Sequence, residues 1–301
     1  MGDPGRGRPG GEGQGCPFDP AVAAVGAGGH RSGAGGDPVT RMSELLDLNG
    51  RAAIITGGGT HLGRAMAEAL AELGASVYLA SRRGELCMQV AEEMRGHGFD
   101  ATGARCDVTS EEDVNALVAR VIKDRGRLDI MVANAGASFT TSYLPEASID
   151  EFRRTLDLNL TGTYICAQAA ARVMIPARRG KIVTLGSIHG ILTADKRFYR
   201  GLNFKRSGPP YQAAKGGIVN LTRALAAELG EWNIQVNCIS PGQIPRADTD
   251  PAMVEKARLN NPLGVVGRPE HLKGAIALLT SPAGDWITGH NLMVDGGWSI
   301  W

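Results

Sequence analysis

From Arg51 onward, short apolar runs alternate with longer stretches whose apolar positions recur every three or four residues. The runs Ala52–Ile55, Ser76–Ala80, Ala101–Arg105, Leu128–Val132, Lys181–Leu185, Ile234–Ile239 and Asn291–Val294 read as strands. Between them, helical spacing covers Arg64–Leu73, Glu85–Arg95, Glu111–Asp124, the long segment Ile149–Met174 and a helix opened by Pro209-Pro210. In that last helix Ile218, Leu221, Leu225 and Leu229 share a face. A proline pair suits its first turn, where backbone N–H groups have no intrahelical partner. Strands alternating with such helices predict a parallel sheet covered on both faces. The expected fold is α/β, with one doubly wound domain over residues 42–301.

Residues 1–41 differ in kind. They hold 13 of the 42 glycines and 5 of the 15 prolines and no periodic apolar face, so they cannot bury enough surface to offset the entropy of ordering. Gly26-Ala27-Gly28-Gly29 follows a short apolar run, but no helical pattern comes after it, and it fails as a dinucleotide turn. The expectation is a disordered, low-complexity extension, with Met42 as the true start or the first 41 residues as a flexible tail.

Composition narrows the class. The chain is 43% hydrophobic, as a globular protein with a sizeable core is, and 32 Lys+Arg against 31 Asp+Glu leave +1, which gives no argument for nucleic acid or an anionic membrane. No apolar run approaches the roughly 18 residues of a membrane span, and no signal-peptide core opens the chain. Five cysteines (16, 87, 106, 166 and 238) are scattered without any C-x-x-C. That pattern fits free thiols in a reducing cytoplasm and predicts neither a disulfide framework nor a metal site.

Two stretches carry chemistry. Thr56-Gly57-Gly58-Gly59-Thr60-His61-Leu62-Gly63 joins the first strand to the first helix, where a glycine-rich turn brings backbone up to a pyrophosphate at a helix N-terminus. Tyr211 and Lys215 are four apart, on one helical face. A phenol titrates near ~10, and a cation beside it is expected to pull that value toward neutrality, as a general acid or base requires.

The order of these pieces resembles the short-chain dehydrogenase/reductase family over residues 48–301. The matching pieces are Thr56-Gly57…Gly63, Cys106-Asp107-Val108, Asn134-Ala135-Gly136, Asn159, Ser187, Tyr211…Lys215 and Pro241-Gly242, with Thr288-Gly289 and Asp295-Gly296-Gly297 at the close. The resemblance implies a single Rossmann-type sheet and an oxidoreductase using NADP or NAD. It further implies that Tyr211 protonates a carbonyl oxygen as hydride arrives, that Ser187 hydrogen-bonds that oxygen, and that Lys215 binds the nicotinamide ribose. Asn159 would hold a water linking Lys215 to solvent. Gly57, Thr60, His61, Leu62, Gly63, Asp107, Val108, Asn134, Ala135, Gly136, Pro241, Gly242 and Ile244 would line the cofactor. A homo-oligomer, tetramer or dimer, is implied as well. A non-catalytic nucleotide sensor on the same fold is the rival reading, since fold alone does not fix function.

Departures from the family pattern sharpen the expectations. His61 stands where the family turn has glycine, and histidine tolerates a left-handed backbone better than bulky residues do. Arg246 stands where members often carry a threonine that touches the cofactor amide. The second strand ends Ser81-Arg82, with no acid to repel a 2′-phosphate, so NADP is expected, with NAD as the alternative. Ser187 and Tyr211 are 24 residues apart, about twice the family spacing, which makes Tyr199 a rival that lacks a lysine four residues on. His189 lies near the expected substrate mouth. The extra stretch Asp195–Arg206 carries five cations, one acid and three aromatics. Its aromatics are expected to pack over the cleft, and its cations to form a positive rim for an anionic substrate such as a sugar acid, with a 3-oxoacyl thioester second.

Overall fold

The structure, a computed structural model, describes residues 40–202 and 205–301, so the predicted extension lies outside it except for Thr40 and Arg41. Seven strands, β1 (Ala52–Thr56), β2 (Ser76–Ser81), β3 (Ala101–Arg105), β4 (Ile130–Ala133), β5 (Gly180–Leu185), β6 (Ile234–Pro241) and β7 (Asn291–Val294), form one parallel sheet. Their order is β3-β2-β1-β4-β5-β6-β7. The chain reverses its direction of sheet growth between β1 and β4, and in doubly wound sheets ligands bind beyond the strand C-termini at that point.

The helices are α1 (Met42–Leu45), α2 (His61–Glu72), α3 (Gly84–Gly96), α4 (Glu111–Arg125), α5 (Ile149–Leu156), α6 (Gly162–Ala177), α7 (Pro209–Leu229), α8 (Pro251–Leu259) and α9 (Lys273–Thr280). Side chains alternate across the strands and so feed two cores. Ile54 and Tyr78 pack with α4, α6 and α7 on one face, while Ala53, Ile55 and Leu79 pack with α2, α3 and α9 on the other. None of the described helices is long and apolar enough to cross a membrane.

The long helix expected over Ile149–Met174 is real but not uniform. Between α5 and α6 the backbone widens into a π segment, Asp157–Thr161. Such a bulge keeps the helix going while turning one residue out of its usual direction, and it recurs at functional sites. Here the displaced residues include Asn159.

At the N-terminal ends of the strands, just before the central β4, Asp129 is buried and gathers four partners. Its carboxylate accepts from Ala52 N at 2.9 Å and from both arms of Arg127 at 2.7 and 2.6 Å, with Arg51 and Arg179 at 3.4 and 3.7 Å. Burial pushes this carboxyl up, but Arg127 foremost, with Ala52 N–H and Arg51, more than offsets it and holds the group below the usual carboxylate range. A depressed folded value means stabilisation that is complete above about pH 4 and lost as pH falls through the folded value. Asp129→Ala is therefore expected to cost about 3 kcal/mol at neutral pH in urea unfolding. The gap between variant and parent should close in acid; a gap independent of pH would remove the ion-pair account.

Candidate active site

Beyond the C-terminal ends of β1, β4, β5 and β6 lies a cleft of about 970 Å³. Its floor is tied together by Thr56 at the tip of β1. The Thr56 hydroxyl donates to Val132 O at 3.3 Å and accepts N–H groups of Asn134 and Ala135 at 3.0 and 3.1 Å. Asn134 Nδ2 answers by donating to Thr56 O at 2.7 Å. Gly57 has φ 67°, and a Cβ there would stand 2.7 Å from Asn134 Nδ2. A Cβ on Gly63 would collide with Gly57 O and Asn134 Nδ2. Only glycine allows the first turn of α2 to sit this close to the strand tips, leaving its N–H groups facing the cleft.

His61 does adopt the left-handed conformation expected of it, at φ 50°. Its Nδ1 is buried without a hydrogen-bond partner among the described residues. Burial, and after it the charge of Arg246, holds this imidazole below the ordinary histidine value.

The far end of the cleft is built from β5, α7 and the π segment. Ser187 caps a short turn over Ile188–Gly190, its Oγ accepting from His189 N at 3.1 Å. Lys215 is buried; its Nζ donates to Leu185 O at 2.6 Å and lies 5.5 Å from the centre of the Tyr211 ring. Asn159 is fully buried beside it, and its Nδ2 donates to Ala137 O at 2.7 Å and to Thr155 O at 2.8 Å. Its Oδ1 is left without a partner among the described residues. Gly136 completes the group, since a Cβ there would fall 2.5 Å from Asn159 Oδ1 and 3.6 Å from Lys215 Nζ.

The electrostatics correct one expectation. Tyr211 is not drawn toward neutrality. Burial pushes its phenol up to about 12, with only the Ser187 hydroxyl working the other way. The cause is the phenol's own loss of water; burial also brings Lys215 down to about 8, with Cys238 opposing.

All seventeen residues expected at the cofactor, from Gly57 to Ile244, line the cleft, as does Ser187, while Asn159 stands behind its wall. The Ser81 hydroxyl accepts Arg83 N at 3.1 Å and lies 3.2 Å from Cys87 Sγ, and the exposed Arg82 and Arg83 both line the cleft at that end. Burial raises the neighbouring Asp107 carboxyl, but bonds from Thr109 and the charges of Arg82 and Arg105 bring it below its usual range.

The loop after Ser187 agrees with its expectation only in part. Tyr199 lines the cleft, and Phe198 packs edge-on against Tyr199 and Trp298 at 5.0 and 5.3 Å. None of its described cations lines the cleft. Arg197 pairs with Asp195 on the surface, Arg206 stacks 3.9 Å over Tyr143, and Lys205 donates to Thr141 O at 3.3 Å. Asn203 and Phe204 lie outside the described residues. The positive rim is therefore withdrawn; cations beside short-range partners face those partners and not the cavity. Sequence reasoning missed the wall formed by Asp248, Asp250, Met253, Val254 and Ala257, whose only signal was the helical spacing of Met253 and Ala257.

The family profile described as enoyl-(acyl carrier protein) reductase matches residues 59–299. A solved short-chain type dehydrogenase/reductase from Mycobacterium marinum is 35% identical, with a TM-score of 0.77 over 86% of this chain and 99% of its own.

The chain belongs to the short-chain dehydrogenase/reductase family.

Among its curated relatives, cis-4-hydroxycyclohexanecarboxylate dehydrogenase of Sinomonas cyclohexanicum is 36% identical, across 83% of this chain and 96% of its own length. A solved gluconate 5-dehydrogenase from Burkholderia cenocepacia J2315, in complex with NADP and tartrate, is 31% identical with a TM-score of 0.78, over 87% of this chain and all of its own. In this short-chain dehydrogenase/reductase the two substitutions in the family pattern, His61 and Arg246, face one another's field across the same cleft.

Proposed function

We propose that this short-chain dehydrogenase/reductase interconverts a secondary alcohol and a ketone, using a nicotinamide dinucleotide held along the cleft. The observation that carries the reading is the convergence of Ser187, Tyr211, Lys215 and Asn159 at one end of a cleft whose other end is the glycine turn. The residues fit a dinucleotide. Gly57 and Gly63 clear the approach to the α2 N-terminus, and the orphaned His61 Nδ1 and Asn159 Oδ1 are polar atoms that want partners. The cofactor, when bound, accepts or supplies the hydride.

The chain's own groups handle the oxygen and its proton. In reduction the Tyr211 phenol, protonated at neutral pH, delivers its proton to the carbonyl oxygen, and Ser187 hydrogen-bonds the same atom as charge develops. Lys215, charged below about pH 8, stands one turn away and returns the proton toward Tyr211, and the orphaned Asn159 Oδ1 would hold the water that links Lys215 to solvent. In oxidation the same atoms run in reverse.

The outer walls combine Tyr199, Met253 and Ala257 with His189, Asp248 and Asp250. An alicyclic secondary alcohol suits this mixture, apolar ring against apolar wall and a second polar group toward His189. Named relatives such as the cyclohexanol dehydrogenase of Rhodococcus sp. (strain TK6), 36% identical, support that class. The test is the nicotinamide absorbance change with a panel of cyclic alcohols, sugars, sugar acids and 3-oxoacyl thioesters. Turnover confined to the thioesters would replace the alicyclic reading.

NADP is the preferred cofactor in this reading, because Arg82 offers a planar cation where an acid would select NAD. Arg82→Ala is expected to raise the KM for NADP roughly tenfold while leaving that for NAD unchanged. A parent that prefers NAD, and a variant identical to it, would reverse the assignment.

A further inference from the structure

Arg246 lies on the segment after β6, across the cleft from the glycine turn, and lines the same cavity as Gly59, Thr60 and His61. Its backbone is fixed, with Arg246 N donating to Thr249 Oγ1 at 2.9 Å, but its guanidinium makes no ion pair or hydrogen bond among the described residues, although Asp248 and Asp250 are close in sequence. An arginine that neighbours acids and pairs with none has its fork free for something else. Its charge nonetheless reaches the opposite wall, where it is felt at His61. Two basic side chains thus stand beside the N-terminal turn of α2, which carries no acidic residue in its first turn. An unpaired guanidinium and an imidazole with an unpartnered nitrogen, set at a helix N-terminus, describe a receptor for a group with more than one negative charge.

We propose that Arg246 closes over the diphosphate of the dinucleotide, clamping it against the α2 N-terminus from the opposite wall. The inference rests on the cofactor reading of the cleft. It assigns Arg246 to the part common to NAD and NADP, in contrast to Arg82, whose ligand would be the 2′-phosphate. Arginine suits the task because its planar fork meets two phosphate oxygens at once, which a lysine cannot do. The competing use of the same guanidinium is a carboxylate on the substrate.

ADP-ribose and adenosine 2′-monophosphate separate these uses, because the first carries the diphosphate and no 2′-phosphate and the second the reverse. Dissociation constants would be measured by titration calorimetry on the full chain, for the parent, Arg246→Met and Arg246→Lys. Arg246→Met should weaken ADP-ribose, NAD and NADP by a common factor of roughly tenfold, leave adenosine 2′-monophosphate unchanged, and be only partly recovered by Arg246→Lys. Equal ADP-ribose affinity in parent and Arg246→Met would overturn the clamp, all the more if the KM for acid-bearing alcohols rose instead. A parent that bound none of the dinucleotides would overturn the cofactor reading and the clamp with it, so the two failures are distinguishable. Arg246 is exposed, and circular dichroism would verify that both variants fold.

Discussion

Tyr211→Phe is expected to lower turnover by at least about a thousandfold while leaving the dissociation constant of the dinucleotide within a factor of about two. The substitution removes one hydroxyl from a ring whose position is set by α7 and by the edge-on contact with His189, 6.4 Å between centres, so packing is preserved. What is lost is the proton donor that shares a hydrogen bond with Ser187 at that end of the cleft. Tyr199→Phe, on the cleft wall, should change KM more than turnover. Near-normal turnover in Tyr211→Phe with loss in Tyr199→Phe would mean that the wall tyrosine, and not the helix tyrosine, delivers the proton. The elevated phenol also fixes a direction in pH. Reduction by the free enzyme should not decline through deprotonation of Tyr211 until pH approaches about 12.

The second large effect concerns Lys215, where function and stability pull apart. Burial lowers this amine from 10.5 to about 8. The unfolded chain keeps the proton up to the higher value and the folded chain gives it up near the lower one. Folding therefore carries a penalty at every pH below about 8, and the penalty fades as pH rises toward about 10.5. That shift corresponds to on the order of 3 kcal/mol, offset by about 1 kcal/mol for the bond to Leu185 O. Lys215→Met should accordingly abolish most activity yet raise the melting temperature at neutral pH by a few degrees. The advantage should shrink at alkaline pH. A variant less stable than its parent at neutral pH would show that the lysine supports the fold and not only the chemistry. Buried charge retained at a stability cost is what a functional site predicts.

Much of the site was legible because its pieces are local. The glycine turn, the Tyr211–Lys215 spacing and the diproline start of α7 each occupy a few consecutive residues, and the strand pattern alone brings them to one edge of the sheet. What escaped was set by tertiary surroundings. The π segment at Asp157–Thr161 leaves only a one-residue slip in the apolar register, too brief to be read from a single sequence. The direction of the Tyr211 shift depends on how deeply the phenol itself is buried, which spacing cannot reveal. The loop arginines looked like a rim because a sequence gives charge without orientation. The α8 wall, with Met253 and Ala257, reads as any short amphipathic helix until β6 delivers it to the cleft.

The most direct test of hydride transfer in this cleft uses cyclohexanol deuterated at the carbinol carbon, with the purified full chain and NADP or NAD, followed by mass spectrometry of the nucleotide. The account predicts one deuterium carried directly onto the nicotinamide ring by the parent and none by Tyr211→Phe, though both bind the nucleotide. Tight nucleotide binding by the parent without label transfer from cyclohexanol or any other deuterated secondary alcohol would contradict it and leave a nucleotide-sensing protein on the same fold.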